Sequence, residues 1–230
     1  MHFCHSSEVW KDYPELAPGV LFARGITRDA AVGPAIEDFW KVAQARLASG
    51  PEGGLPEVQA WRRAFSRMGL KPTQYRSASE SLLRRFRKDG SLPRIHPLID
   101  LCNAISIAFA IPVAVFDVSR VAEYLEVRYA AGSEVYAAFS GETENPEPRE
   151  VIFADRDGRA HARRWTNRQS AYSAVRGETA AVLIVAEGMH ASARADLERL
   201  VAAIAGALRA AWASAAKTAL LEERSPRFEF

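Results

Sequence analysis

Leu92-Pro93-Arg94-Ile95-His96-Pro97-Leu98-Ile99-Asp100-Leu101-Cys102-Asn103-Ala104-Ile105-Ser106-Ile107-Ala108-Phe109-Ala110-Ile111-Pro112-Val113-Ala114-Val115-Phe116-Asp117 is the stretch that decides the fold. Pro97 suits a first helical position, where its missing N–H is no loss, and Pro112 cannot continue a helix, so one helix is predicted between them. That helix is almost wholly apolar. Asp100, Asn103 and Ser106 break the pattern at a spacing that lines them up as one slanting polar seam on a helix otherwise fit for burial on every side. Residues 113–116 then read as a short apolar strand ending at Asp117, so a core helix hands directly to a core strand.

Working outward, residues 20–26 read as a strand, and Gly33-Pro34 opens a helix whose Ile36, Phe39, Trp40, Ala43 and Leu47 share one face. Residues 49–56, rich in Gly and Pro, form a loop. Val58, Trp61, Ala64, Phe65 and Met68 repeat the helical stripe, with Arg62, Arg63 and Arg67 on a solvated face and Gly69 as the stop. Ser77 and Glu80 have capping-box spacing, and the helix they open turns Leu82, Leu83 and Phe86 inward. Its Arg84, Arg85, Arg87 and Lys88, with Lys71 and Arg76, make the densest basic cluster of this half. Beyond Asp117 the period shortens: residues 125–129, 135–139, 151–154 and 180–187 read as strands, and Asp157-Gly158 as a hairpin turn. Residues 191–219 read as a long alanine-rich helix capped by Ser192, with Leu197, Val201, Ile204, Leu208 and Trp212 as its stripe, and residues 222–230 as a loosely ordered tail in which Phe228 and Phe230 are candidates for docking. Helices followed by several short strands give an α+β fold.

The chain has 230 residues, 48% of them hydrophobic, which is ample for a core. Thirty basic residues against 28 acidic ones leave a net charge of +2, so nucleic-acid binding rests on local patches and not on a global field. The two cysteines, Cys4 and Cys102, are far apart and suggest no disulfide framework. No apolar run reaches membrane-spanning length and no leader opens the chain, so a soluble cytoplasmic protein is expected. His2, Cys4 and His5 lack a nearby residue to complete a metal site, and no metal or cofactor is expected. Glycine-rich phosphate loops, HExxH, CxxC and GxSxG are missing, while His96 and His161 stand alone and read as structural.

The segment His161-Ala162-Arg163-Arg164-Trp165-Thr166-Asn167-Arg168-Gln169-Ser170 is the most polar place that still looks ordered. It offers phosphate donors, a stacking ring and amide hydrogen bonds close together. Further on, Glu187 ends a buried strand, where a carboxylate can be held against a low-dielectric wall.

The helix with Asp100 and Asn103, then Pro112, then Phe116-Asp117, followed in order by Val127-Arg128-Tyr129-Ala130, Val151-Ile152-Phe153-Ala154-Asp155 and Val182-Leu183-Ile184-Val185, resembles the B3/B4 editing domain of the bacterial phenylalanyl-tRNA synthetase beta subunit over residues 75–190. Closer still is the likeness to free-standing B3/4-domain proteins, carried by Tyr75-Arg76-Ser77, by residues 162–170 and by Ala186-Glu187-Gly188.

The resemblance implies a layered β/β/α arrangement with a central buried helix and a long C-terminal helix. It also implies one domain over 1–230, with an N-terminal part (1–74), a family-like core (75–190) and the C-terminal helix (191–220). The implied partner is the aminoacylated 3′ end of tRNA, with no DNA and no membrane, and the implied reaction is hydrolysis of a wrong amino-acid ester in trans. Asn103, Glu187, Thr166, Asn167 and Gln169 are the expected substrate contacts; Arg76, Arg84, Arg85, Arg163, Arg164, Trp165 and Arg168 are the expected RNA contacts. The family pattern carries a histidine where this chain has Ala114, and a glutamate where it has Val185. A non-catalytic module that binds tRNA or an amino acid, or a hydrolase of simple esters, therefore stands beside the editing reading. Loss of Glu187 is expected to spare folding, whereas Asn103 is expected to have a structural role as well.

Overall fold

A computed structural model describes residues 1–230. In chain order the elements are β1 (His2–His5), α1 (Ser7–Asp12), β2 (Ala17–Arg24), α2 (Gly33–Ala48), α3 (Pro56–Arg67), α4 (Ala78–Asp89), α5 (Pro97–Phe109), β3 (Val113–Asp117), β4 (Tyr124–Tyr129), β5 (Tyr136–Ala137), β6 (Thr143–Glu144), β7 (Val151–Ala154), β8 (Ala160–Arg163), β9 (Arg168–Gln169), β10 (Ala181–Gly188), α6 (Ala193–Trp212), β11 (Lys217–Leu220) and β12 (Arg227–Glu229). A six-stranded sheet has the order β12-β1-β4-β7-β8-β9, and a four-stranded sheet has the order β11-β2-β10-β3. The fold is α+β, and its layers follow from the strand period of two.

Along β10, Leu183 and Val185 join a core with Phe3, Phe116, Val127 and Phe153, which lies between the two sheets. Val182, Ile184 and Ala186 point the other way and pack with Leu98, Leu101 and Ile105 of α5 and with Leu197, Leu200 and Ile204 of α6. Sheet, sheet and helices therefore stack as β/β/α, and the strands of the middle sheet are apolar on both faces because both are covered.

The central helix is capped by its own sequence. His96 Nδ1 accepts from Leu98 N at 3.2 Å, Asp100 Oδ1 accepts from Ile95 N at 2.8 Å, and Ser106 Oγ donates to Ile111 O at 2.6 Å. Ala110 takes the left-handed conformation (φ 56°) that ends the helix two residues before Pro112. Two members of the polar seam are thus satisfied by neighbours in sequence.

Four expectations need correction. The C-terminal helix stops at Trp212, where the apolar stripe runs out and the indole N–H donates to Thr27 O at 3.0 Å; residues 217–220 turn back as β11 against β2. Ser192 makes no side-chain cap and donates instead to Asp196 Oδ2 at 2.6 Å. The tail is ordered in part, since β12 pairs with β1 and Phe228 is buried. Within residues 135–139 only Tyr136 and Ala137 are strand, and Phe139 is 73% exposed.

Gly19 marks where β2 and α6 touch, for a Cβ built there would stand 2.6 Å from Val201 Cγ2. Gly19→Ala is expected to cost about 1–3 kcal/mol through overpacking. In thermal melts this reads as a midpoint lowered by about 2–12 °C, and an unchanged midpoint would show that α6 rides freely on the sheet.

Candidate functional site

The faces of β3 and β10 that look toward the six-stranded sheet carry Ala114, Val185 and Glu187, which share one side because they alternate along their strands. Phe153 of β7, Ala162 of β8 and the turn from Trp165 to Gln169 stand opposite. Between them, under Ala78 and Pro112, lies a cavity of about 60 Å³. It brings together Glu187, Thr166, Asn167 and Gln169 of the expected substrate contacts and Trp165 and Arg168 of the expected RNA contacts. Asn103 does not line it: this residue sits half-buried on α5, on the far side of the four-stranded sheet.

Glu187 is the polar pole of the cavity and is 2% exposed. Its Oε1 lies 2.7 Å from His5 Nε2 and accepts from Trp165 Nε1 at 3.0 Å, while its backbone carbonyl accepts from Trp61 Nε1 at 3.2 Å. Oε2 has no protein partner. The hydroxyl of Thr166 is buried without a hydrogen-bond partner. A carboxylate with one oxygen unbonded, lining a small and mostly apolar space, can accept from a group that donates hydrogen bonds, such as an ammonium or a hydroxyl.

Residues 60–203 match the B3/4 domain. The chain belongs to the B3/4 domain family. An N-terminal fragment of the phenylalanyl-tRNA synthetase beta-subunit from Pyrococcus horikoshii is a structural neighbour, at 10% sequence identity and a TM-score of 0.48 over 95% of this chain and 53% of the fragment. The chain thus spans about half the length of that fragment. No curated protein matches the chain.

In this B3/4 protein the turn between β8 and β9 is held under backbone strain, because Arg164 and Trp165 both adopt left-handed conformations, at φ 47° and 58°. For residues other than glycine such geometry costs about 1–3 kcal/mol each and persists only where surroundings enforce it. Arg164 N donates to Glu150 Oε1 at 2.8 Å, Trp165 N donates to Val151 O at 2.7 Å, and Thr166 O accepts from Ala78 N at 2.8 Å. Asn167 Nδ2 donates to Arg76 O at 2.8 Å, which ties the turn to the approach of α4. Burial pushes the Glu150 carboxyl up, but hydrogen bonds from Arg163 and from the Arg164 backbone outweigh it and hold the group below the ordinary carboxylate range.

The expected RNA contacts divide. Trp165 is fully buried, with the rings of Tyr13 and Trp61 edge-on to it at 4.8 and 5.2 Å, so its face is not a surface for a base. Arg163 is 4% exposed; it chelates Glu150 at 2.9 and 2.8 Å and also bonds Glu144, so it is a buried structural cation and not a phosphate contact. A run of Arg-Arg next to polar residues gave no sign of this, because the acids that bury Arg163 come from an intervening loop.

Arg168 also pairs with Glu144, Arg84 pairs with Glu52, Arg85 with Asp89, and Arg76 with Glu80, at 3.0 to 3.6 Å. Arg84 and Arg85 are exposed, and their weak pairs leave them available. Arg164 alone among the six has no acidic partner; its guanidinium lies 4.8 Å over the ring of Tyr75, one residue beyond the buried Arg163.

Two neighbours of the site escaped the sequence reading. His5 enters from β1, where the alternation His2, Phe3, Cys4, His5 puts Phe3 and His5 inside and His2 and Cys4 on the other face. That alternation was the available signal. Trp61 was read only as core. A second histidine has a geometry that could mislead: His161 Nδ1 lies 2.8 Å from Ser173 Oγ and its Nε2 lies 3.1 Å from Asp155 Oδ2. All three are buried and none lines the cavity, so this group is a tie within the fold. Burial raises the Asp155 carboxyl, but bonds from His161 and from the backbone N–H groups of Arg159 and Ala122 more than reverse that. The thiols are inert as nucleophiles, since burial pushes Cys4 up to about 11 and Cys102 up to about 12.

Proposed function

We propose that this B3/4 protein is an aminoacyl-tRNA deacylase acting in trans, which takes the 3′ end of a charged tRNA and hydrolyses the ester of a wrongly attached amino acid. The observation that carries this reading is the cavity itself, in a member of this family, whose lining includes Glu187, bonded to His5 and Trp165 through Oε1, and Thr166, whose buried hydroxyl has no partner. No serine, cysteine or histidine at the cavity wall forms a nucleophile and base pair, and the reaction needs none. An aminoacyl ester is already activated. Orientation of a water beside the terminal ribose hydroxyl, with nearby donors for the developing negative charge, supplies the barrier reduction.

The size of the cavity sets the substrate class. A lining of small apolar residues around about 60 Å³ fits a small side chain and its ammonium. Glu187 accepts from the ammonium or from a side-chain hydroxyl, and the apolar wall of Val113, Ala114 and Phe153 takes the remainder. Arg164, next in sequence to the cavity-lining Trp165 and without an acidic side-chain partner, contacts the RNA backbone, with Arg84 and Arg85 farther along α4.

Purified protein incubated with a panel of mischarged tRNAs tests the reading. Ester loss above the buffer rate is expected for small amino acids, and no loss for any pair would remove the enzymatic reading. Arg164→Ala is expected to weaken all tRNAs alike and to flatten the salt dependence of binding by about one unit. Unchanged binding and slope would take Arg164 off the RNA path.

A second reading is favoured by Ala114, which puts a methyl group where the family pattern has an imidazole. In that reading the same cavity binds charged tRNA or a free amino acid without turnover. Saturable binding with no ester loss would select it.

A further inference from the structure

We propose that Glu57, His190 and Asp196 bind a divalent metal ion of the zinc class, at a place separate from the cavity described above. Glu57 opens α3, His190 follows β10, and Asp196 lies in the first turn of α6. One ligand atom from each falls within 4.8 Å of the other two, and all three residues are buried.

The group is built in the way that metal ligands are held. Each carboxylate is anchored from outside: Arg46 Nη2 donates to Glu57 Oε1 at 2.6 Å, while Asp196 accepts from Ser192 Oγ at 2.6 Å and from Arg199. His190 Nε2 lies 2.8 Å from Asp196 Oδ2. The contacts from Arg46, Ser192 and Arg199 fix the direction in which the carboxylate oxygens point.

What the protein leaves unfinished inside the group is the second observation. Glu57 Oε2 and His190 Nδ1 are buried with no hydrogen-bond partner, on side chains only 10% and 3% exposed. Native structures rarely leave such atoms unmatched, and a cation held by Glu57 Oε2, Asp196 and His190 Nε2, in place of the proton between His190 and Asp196, satisfies the carboxylate oxygen. His190 also lines a cleft of about 400 Å³ whose wall carries Glu15, Glu222 and Glu223 together with Arg194.

The donor set selects the metal. One imidazole nitrogen with two carboxylate oxygens suits zinc and its neighbours in the first transition row and leaves a fourth position for water, whereas magnesium and calcium favour oxygen donors alone. Arg46 and Arg199 offset the charge of the two carboxylates, so the group tolerates burial before the ion enters.

The test uses the full chain, stripped with a chelator, dialysed and titrated with Zn²⁺ alone in a calorimeter and in thermal melts. One equivalent is expected to bind. At a free concentration of about 100 times Kd, the melting midpoint should rise by about 5–10 °C. Co²⁺ in place of Zn²⁺ should show the visible absorption of a low-symmetry site. Glu57→Gln keeps the shape and the Arg46 contact, and should weaken Zn²⁺ binding about tenfold or more; His190→Ala should abolish it. A His2→Ala, Cys4→Ala double variant should bind as the parent does. The proposal is overturned if no heat and no shift appear at 1 mM Zn²⁺, a level about a thousandfold above a micromolar Kd. It is overturned equally if Glu57→Gln binds like the parent, or if the double variant loses the ion.

Discussion

Glu187→Gln is expected to leave the protein folded and to change its preference among aminoacyl-tRNAs by about 10- to 100-fold, because only the free edge of the carboxylate is altered. The amide oxygen can still take the bonds from His5 Nε2 and Trp165 Nε1, while the amide nitrogen replaces Oε2 and offers a donor where a bound ammonium or hydroxyl needs an acceptor. Glu187→Ala behaves differently. It strands two buried donors, at about 1–3 kcal/mol each, so the expectation from sequence that its loss spares folding is not what this geometry supports. Rates and binding for each charged tRNA, measured beside melting curves for both variants, separate the two effects. A glutamine variant with the parent's preferences throughout would move the amino-acid pocket away from Glu187.

The largest stability effect is expected at Arg163. Arg163→Ala removes the counter-charge of Glu150, which is itself 6% exposed, and one of the partners of Glu144. Breaking one side of a buried ion pair costs about 3–5 kcal/mol, since the remaining charge stays desolvated. For a chain of this size that lowers the melting midpoint by about 6–20 °C. Glu150 also holds the backbone of Arg164, so the strained turn at the cavity mouth should loosen at the same time. Arg164→Ala, one residue on, should melt like the parent. Equal melting of the two variants would mean that the Arg163 pairs contribute nothing to the fold.

Local pattern was legible wherever it was set by neighbours in sequence. Pro97 and Pro112 bracket α5, Ser77 caps α4 by accepting from Glu80 N at 3.3 Å, and Gly90 ends that helix in the left-handed conformation. The alternation of β10 placed Glu187 on the side of Val185, and both line the cavity. What was not legible depends on partners far along the chain. The alanine-rich run after Trp212 carries a helical composition, yet β2 offers an open edge that captures residues 217–220. Arg163 and Arg164 are identical in sequence terms; Glu144 of β6 and Glu150, just before β7, pair with the first side chain and leave the second. The polar seam on α5 suggested a site because Asp100, Asn103 and Ser106 fall in line, but two of them close the ends of their own helix. For Asn103 the structure gives no hydrogen-bond partner.

The pairing order also sets when the cavity can exist during synthesis. The chain emerges from the ribosome amino end first, and β2 must wait for β10 and β11 before either of its edges is paired. β1 waits in the same way for β4, so His5 is made long before the carboxylate it contacts. Contacts of such long sequence separation form slowly, and the early strands stay open to misassociation meanwhile. A nascent chain arrested before Glu187 has left the exit tunnel should therefore lack the cavity's carboxylate. The cavity and its polar pole form only once β10 has been made and has paired with β2.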